Sequence, residues 1–275
     1  MDYLVPALLF ALMGLVFALL LAIASRAFAV KQDPRIAELT DCLPGANCGG
    51  CGYTGCAAYA EAVAKGEAEV GACNPGGTVT ANAMGKIMGV EVSEVVRLRA
   101  QVMCSGVLGA AKIKYHYAGA PDCTSAARLG GGDKLCPNGC IGLGSCVTVC
   151  PTNAISVKNG VAWVDPSLCS ACGICINTCP KNIIRLVSYE ASHFVGCSST
   201  DKGAQTRTYC SVGCIGCKIC ERACEAGAIR VDGALAAIDY AKCTGCGACV
   251  SKCPRKIIYS VNEEGEKKMA VRVNA

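Results

Sequence analysis

Hydrophobic and polar positions along the chain fall into distinct regimes. Tyr3 to Ser25 contains no charged residue and is dominated by Leu, Ala, Val and Phe. At 1.5 Å rise per residue a helix over this run is roughly 35 Å long, enough to cross a bilayer core of about 30 Å. Asp2 precedes the run and Arg26, Lys31 and Arg35 follow it. By the positive-inside rule this bias predicts a single-pass anchor in the inner (cytoplasmic) cell membrane, with the bulk of the chain on the cytoplasmic side. A cleaved leader competes, since Ala27-Phe28-Ala29 mimics a cleavage site, but no basic segment precedes the apolar run. Next, the small and apolar residues of Ala57 to Ala64 predict a helix, and Val90 to Met103 a second one, with Ser93 as N-cap and Glu94 beside it. Farther along the pattern shortens: Ala154-Ile155, Ile183-Ile184, Ala228-Ile229 and Ile257-Ile258 recur, and Asn159-Gly160 and Asp232-Gly233 separate strand-like runs as hairpin turns. The tail from Asn262 is mostly charged and reads as a solvated end.

What changes this picture is cysteine, present 25 times. Each short apolar stretch follows a cysteine motif: Cys169-x2-Cys172-x2-Cys175-x3-Cys179-Pro180, Cys214-x2-Cys217-x2-Cys220-x3-Cys224, and Cys243-x2-Cys246-x2-Cys249-x3-Cys253-Pro254. A looser version reads Cys136-x3-Cys140-x5-Cys146-x3-Cys150-Pro151. Such spacing lets three thiolates of one loop wrap a cuboidal 4Fe-4S core while the fourth Cys reaches the neighbouring cluster. By this crossed rule Cys136, Cys140 and Cys146 take Cys179, and Cys169, Cys172 and Cys175 take Cys150. Likewise Cys214, Cys217 and Cys220 take Cys253, and Cys243, Cys246 and Cys249 take Cys224. Glu225 replaces the proline after Cys224, which predicts an altered local turn and unchanged ligation. A fifth set, Cys48, Cys51, Cys56 and Cys73, follows the anchor among glycines that permit close backbone approach. Cys42 is surplus, a thiol outside the ligand sets.

Disulfides fit poorly, because Cys-x2-Cys-x2-Cys crowds three sulfurs too closely for pairwise bridging. Zinc prefers two ligands per knuckle, often with His, and only His116 and His193 are present, neither at ligand spacing. Zinc competes better at the Cys48 to Cys73 set, which lacks the three-in-a-row spacing. Gly130-Gly131-Gly132 lacks the Lys/Ser pattern and following helix of a phosphate cradle. The formal charge of +5 would move to about −5 with five oxidised clusters at about −2 each, so basicity does not argue for nucleic-acid binding. Lys252, Arg255 and Lys256, close to the last motif, are a candidate docking patch for an acidic partner, with a solvated face as the alternative.

The order of anchor, Leu-Pro-Gly-Ala-Asn-Cys-Gly-Gly-Cys-Gly-Tyr at 43–53, Cys-Asn-Pro-Gly-Gly at 73–77 and the ferredoxin repeats resembles the B subunit of the Rnf complex over nearly the whole chain. That resemblance is to the longer form of the family, with two double-cluster ferredoxin units. It implies a membrane assembly exchanging electrons between ferredoxin and NAD, coupled to sodium or proton transport. Within it this chain would take electrons from soluble ferredoxin and relay them to membrane-embedded, flavin-bearing and NAD-binding subunits, with no catalytic residue of its own. The competing readings are a polyferredoxin subunit of a membrane hydrogenase or formate-linked enzyme and a non-redox zinc scaffold.

The expected fold is therefore α+β: an N-terminal transmembrane helix, a small helical 4Fe-4S domain and two bacterial-type double-cluster ferredoxin units. Its boundaries are an anchor over 1–27, a linker over 28–40, the four-Cys domain over 41–99 and a connecting segment over 100–134. The ferredoxin units follow over 135–190 and 210–262, with a connector at 191–209 and a tail at 263–275. Five 4Fe-4S clusters use twenty cysteines. Cys104, Cys123, Cys197 and Cys210 flank the first ferredoxin unit and make a candidate sixth four-sulfur site, with buried thiols as the alternative.

Overall fold

A computed structural model describes residues 4–27, 33–92, 96–261 and 267–268. Helix α1 (Leu4–Ala27) bears Arg26 in its last turn. Its stretch Leu8–Arg26 has a mean hydropathy of 2.7, long and apolar enough to cross a membrane by length and composition. Large side chains along it, from Leu8 to Ile23, stand exposed. Tyr3 and Lys31 lie outside the described residues.

Three helices make the next body: α2 (Pro34–Asp41), α3 (Cys56–Lys65) and α4 (Gly77–Met88). The linker expected over 28–40 thus contains most of a helix. Asp33 caps α2 by accepting the Arg35 amide at 3.0 Å, with Pro34 at the first helical position, where its missing N–H costs nothing. Leu39 of α2 packs with Tyr59, Val63 and Met84 in a fully buried core. The Tyr59 hydroxyl donates to the Glu69 carbonyl at 2.8 Å and accepts the Ala72 amide at 3.1 Å, so it fixes the loop that leads to Cys73.

The remainder is two repeats. The first runs β1 (Leu98–Val102), α5 (Cys123–Arg128), α6 (Ser145–Thr148), β2 (Ile155–Lys158), β3 (Val161–Val164), α7 (Ile174–Thr178) and β4 (Ile184–Ser188). The second runs β5 (His193–Val195), α8 (Gly203–Tyr209), α9 (Ile219–Arg222), β6 (Ile229–Asp232), β7 (Leu235–Ile238), α10 (Ala248–Lys252) and β8 (Ile258–Val261), with β9 (Lys267–Lys268) beside β8. In each repeat the first strand pairs antiparallel with the strand that closes the repeat, Leu98 opposite Ser188 and His193 opposite Ser260. The middle two strands form a hairpin in each. Asn159-Gly160 makes the β2–β3 turn with φ of 49° and 73°, the left-handed pair a two-residue hairpin requires.

This pairing corrects the helix expected over Val90–Met103. Leu98–Val102 is a strand whose partner lies some ninety residues away, and four of its five side chains are buried; Ser93 and Glu94 lie outside the described residues. The segments expected as connectors, 100–134 and 191–209, likewise hold β1, α5, β5 and α8. The tail is described only at Lys267–Lys268.

Cores follow the repeats. Val102, Ile155, Val164, Ile183 and Ile184 anchor the first, and Val195, Ile229, Val231, Ile257 and Ile258 the second. Met103, Val187, Phe194 and Tyr259 form a third cluster between them. There the Gln101 amide donates to the Tyr259 hydroxyl at 2.9 Å and the Ser105 amide to the Gly196 carbonyl at 2.8 Å.

Candidate iron–sulfur centres

Four loops with one conformation carry most of the cysteines. Each opens on a Cys (Cys140, Cys169, Cys214, Cys243) and enters a short helix bearing a second one (Cys146, Cys175, Cys220, Cys249). After that helix comes the closing Cys, at 150, 179, 224 and 253. The backbone enters the left-handed region two residues after the opening Cys, at Gly142, Ala171, Gly216 and Gly245, and again just before each helix. A side chain at Gly142 would run into the Gly160 carbonyl, so this loop needs glycine there. Aligned this way, the first loop has Leu143 where the others have Cys172, Cys217 and Cys246, and Cys136 falls outside it. The turn after the closing Cys is the same in all four, with the amide three residues on donating to that Cys carbonyl at 3.1–3.3 Å. Glu225 therefore does not alter the turn, contrary to expectation.

Space groups the thiols differently from sequence. Cys140, Cys146 and Cys179 share a hollow with Cys123, not with Cys136. Cys136 lines another hollow with Cys104, Cys197 and Cys210. The two cysteines thus exchange the places that spacing predicted for them. Cys123 reaches its position because Asp122 caps α5. The Asp122 carboxylate accepts the Ser125 amide and the Ser145 hydroxyl, each at 2.7 Å, and the Ser145 oxygen accepts the Cys123 amide at 2.7 Å. The Ser125 amide, helped by the Ser145 hydroxyl, holds the Asp122 carboxyl down to about 2. One clamp therefore ties α5 to the helix that carries Cys146.

Elsewhere thiols of paired loops lie near one another. Cys214, Cys217, Cys220 and Cys253 line one hollow. Cys175 feels the charges of Cys169, Cys172 and Cys150, and Cys249 those of Cys243 and Cys224. Cys246 belongs to the same loop as Cys243. In the helical body Cys73 feels Cys56, Cys48 and Cys51, and the Asn47 side chain accepts the Cys56 amide at 2.8 Å to shape that loop. Cys42 packs in this body as a half-buried thiol.

Burial pushes the Cys140 thiol up to about 11 and the Cys146 and Cys175 thiols up to about 12, with neighbouring cysteines adding to the rise. Without metal these groups are protonated near neutral pH, so iron must displace protons to bind. Backbone amides are already aimed at sulfur: Ala162 to Cys140, Ala100 to Cys169, Ala154 to Cys150 and Ala228 to Cys224, at 3.3–3.4 Å. N–H groups directed at sulfur favour thiolate and tune the potential of a bound cluster. Among the described residues no group of three or more His, Cys, Asp and Glu side chains is placed to hold a single ion.

Gly50 brings the helical body against the first repeat: a Cβ there would sit 2.6 Å from the Cys172 carbonyl oxygen. Of the basic patch, Lys252 and Lys256 are exposed, whereas Arg255 is engaged, donating to the Cys210 and Gly213 carbonyls at 2.7 and 3.3 Å. His193 is buried, its ring nitrogens 3.0 Å from the Gly245 carbonyl oxygen and the Ser260 hydroxyl. It therefore braces the last loop against β8.

Residues 43–75 match a family described as "Putative Fe-S cluster", residues 136–190 the LdpA Fe-S cluster-binding domain, and residues 213–257 the 4Fe-4S dicluster domain. Among relatives matched over most of their length, the B subunit of the ion-translocating oxidoreductase complex of Methanosarcina acetivorans is 44% identical, over 90% of this chain and 94% of its own length. The B subunit of the Na(+)-translocating ferredoxin:NAD(+) oxidoreductase complex of Acetobacterium woodii is 42% identical, over 96% of this chain and 79% of its own. The proton-translocating counterpart of Clostridium ljungdahlii is 37% identical, over 91% and 89%. Iron–sulfur domains in this order behind an apolar helix, matched over nine-tenths of the chain or more by such relatives, show that the chain belongs to the B-subunit family of the ion-translocating ferredoxin:NAD oxidoreductase, the Rnf complex.

Proposed function

We propose that the chain is the membrane-anchored electron-input subunit of such a complex, taking electrons from reduced ferredoxin and passing them on for NAD reduction coupled to Na+ or H+ transport. Each repeat is read as one double-cluster ferredoxin unit, extended at its N-terminus by β1 or β5. Five 4Fe-4S sites are assigned to Cys48, Cys51, Cys56 and Cys73; Cys123, Cys140, Cys146 and Cys179; Cys150, Cys169, Cys172 and Cys175; Cys214, Cys217, Cys220 and Cys253; and Cys224, Cys243, Cys246 and Cys249. A bound cluster stores one electron at a time at a potential set by hydrogen bonds to sulfur, charge and exposure. The chain holds the thiolates, directs amides at them and walls them from water with residues such as Ile183, Ile184, Ile257 and Ile258, all buried.

The observation that carries the reading is the contact of Gly50 with Cys172, which sets the anchor-proximal site directly against a site of the first repeat. Electrons come in at the repeats and leave through the anchor-proximal body toward membrane-embedded and flavin-bearing partners. Lys252 and Lys256 supply positive charge beside the last loop, which suits an acidic ferredoxin. Arg26 at the end of α1 favours a cytoplasmic location for the repeats. A single span forms no ion path, so transport belongs to the partner subunits.

NAD reduction by reduced ferredoxin in membrane vesicles, from cells with and without the chain, tests this. The reading expects loss without the chain and return when it is supplied in trans; undiminished activity would overturn it.

A further inference from the structure

Apart from Cys42 in the helical body, the thiols left over from these five sites come from matching places in the two repeats. Cys104 lies two residues past the end of β1, and Cys197 two residues past the end of β5. The residue before each donates its amide across the repeat at 2.8 Å, Met103 to the Ile183 carbonyl and Gly196 to the Ile257 carbonyl. Cys136 and Cys210 each stand four residues ahead of their repeat's opening cysteine, Cys140 or Cys214. A basic side chain beyond the closing cysteine ties down each of these turns: Lys181 donates to the Pro137 carbonyl at 2.8 Å and Arg255 to the Cys210 carbonyl at 2.7 Å. Each repeat thus presents two thiols, and the seam brings all four into one hollow.

The hollow is equipped for charge on sulfur. The Cys104 sulfur lies 3.4 Å from the amides of Gly106 and Cys140, and the Cys197 sulfur 3.4 Å from those of Ser199 and Cys214. Lys134, only 3% exposed, sits in the wall with its Nζ donating to the Gly106 and Gly160 carbonyls at 2.9 and 2.6 Å. Thiols buried merely as small hydrophobes need neither four amides nor a cation; four thiolates around an anionic core are stabilised by both. Three of the four cysteines, Cys104, Cys197 and Cys210, lie outside the stretches that match iron–sulfur families, at 136–190 and 213–257.

We infer that Cys104, Cys136, Cys197 and Cys210 hold a sixth 4Fe-4S cluster at the seam, joining the two repeats into one electron path. This rests on the reading of the other five sites as clusters. The amides of Cys140 and Cys214 each belong to a ligand of a neighbouring site, so the seam site is one hydrogen bond from a site in either repeat. Passage through it moves one electron, oxidising a donor cluster in the second repeat and reducing an acceptor in the first, with no bond made or broken and no proton transferred.

The test is cluster counting on the full chain within its anaerobically purified complex. Native mass spectrometry of the unmodified chain, with iron and sulfide assay, is expected to give six clusters and about 24 iron per chain. Cys104→Ser and Cys197→Ser should each lose about one sixth of the iron and one paramagnetic signal, while Cys42→Ser loses none. Lys134→Met should keep the iron and move the midpoint potential of one signal downward, because a positive charge beside an anionic centre has gone. Five clusters and about 20 iron in the parent would overturn the seam site while leaving the other five standing. Full iron in both serine variants would do the same. A chain without iron–sulfur clusters would instead sink the five-site reading. Should the serine variants fail to fold, the parent count decides.

Discussion

The two repeats gather the four thiols of their first candidate site by different means. In the second, Cys214, Cys217, Cys220 and Cys253 come from one loop and the strand approach opposite, all within forty residues. In the first, Leu143 stands where Cys217 stands in the second, and the missing thiol comes from Cys123 on α5, in the segment between Cys104 and Cys136, whose counterpart between Cys197 and Cys210 carries α8 and no cysteine. The site is rebuilt from outside the motif, and the Asp122–Ser145 clamp supplies the rigidity that the tight loop supplies elsewhere. A cluster site is thus a requirement for four thiolates at defined places around a core, and the chain can meet it from any segment that is fixed there.

The largest effect that would break this comparison is at Cys123. Cys123→Ser should lose one cluster, about four iron, whereas the reading from motif spacing alone assigns Cys123 to a different site from Cys140. Adding Leu143→Cys to that variant makes the first loop match the second and should return the iron, as measured by anaerobic iron and sulfide assay. A smaller effect is expected at the clamp. Ser145→Ala removes the acceptor of the Cys123 amide, and an amide left without a partner costs about 1 kcal/mol or more. Cluster loss on mild chelation should accelerate at that site alone, leaving the second repeat unchanged. Smallest are the two backbone departures, one per repeat. Ala171 and Lys218 hold φ of 56° and 58° where the corresponding residues of the other loops are glycines. Ala171→Gly and Lys218→Gly relieve a conformation that costs roughly 1–2 kcal/mol without glycine, partly offset by the added freedom of the unfolded chain. Each should raise the thermal midpoint of the cluster-loaded protein slightly.

The loops are legible in the sequence because their thiol spacing is imposed locally by one turn and one short helix. The exchange of Cys123 and Cys136 is not, because Cys136-x3-Cys140 imitates a stretched motif. The signal that identifies it is internal: Cys136-x3-Cys140-Ile141-Gly142 repeats as Cys210-x3-Cys214-Ile215-Gly216, which places Cys136 opposite Cys210. Strand β1 escapes a reading from pattern for a different reason. Leu98-Arg99-Ala100-Gln101-Val102 alternates apolar and polar over only five residues, too short a run to overrule the helix-like pattern around it, and its conformation is set by a ladder to Ile184–Ser188 that no local pattern reveals. Helix α2 reads as linker although Asp33-Pro34 carries both a cap and a first-turn signal.

The central claim, that electrons collected on the repeats leave through the anchor-proximal body, is tested most directly at Gly50. In Gly50→Ala, assembled in the complex with its iron content verified, rapid-freeze paramagnetic resonance after mixing with reduced ferredoxin would follow the clusters of the repeats, and NAD reduction would follow the exit. The account predicts that the repeats are reduced as fast as in the parent while NAD reduction slows, because the added methyl pushes the body away from Cys172. Full iron with both rates unchanged would contradict it.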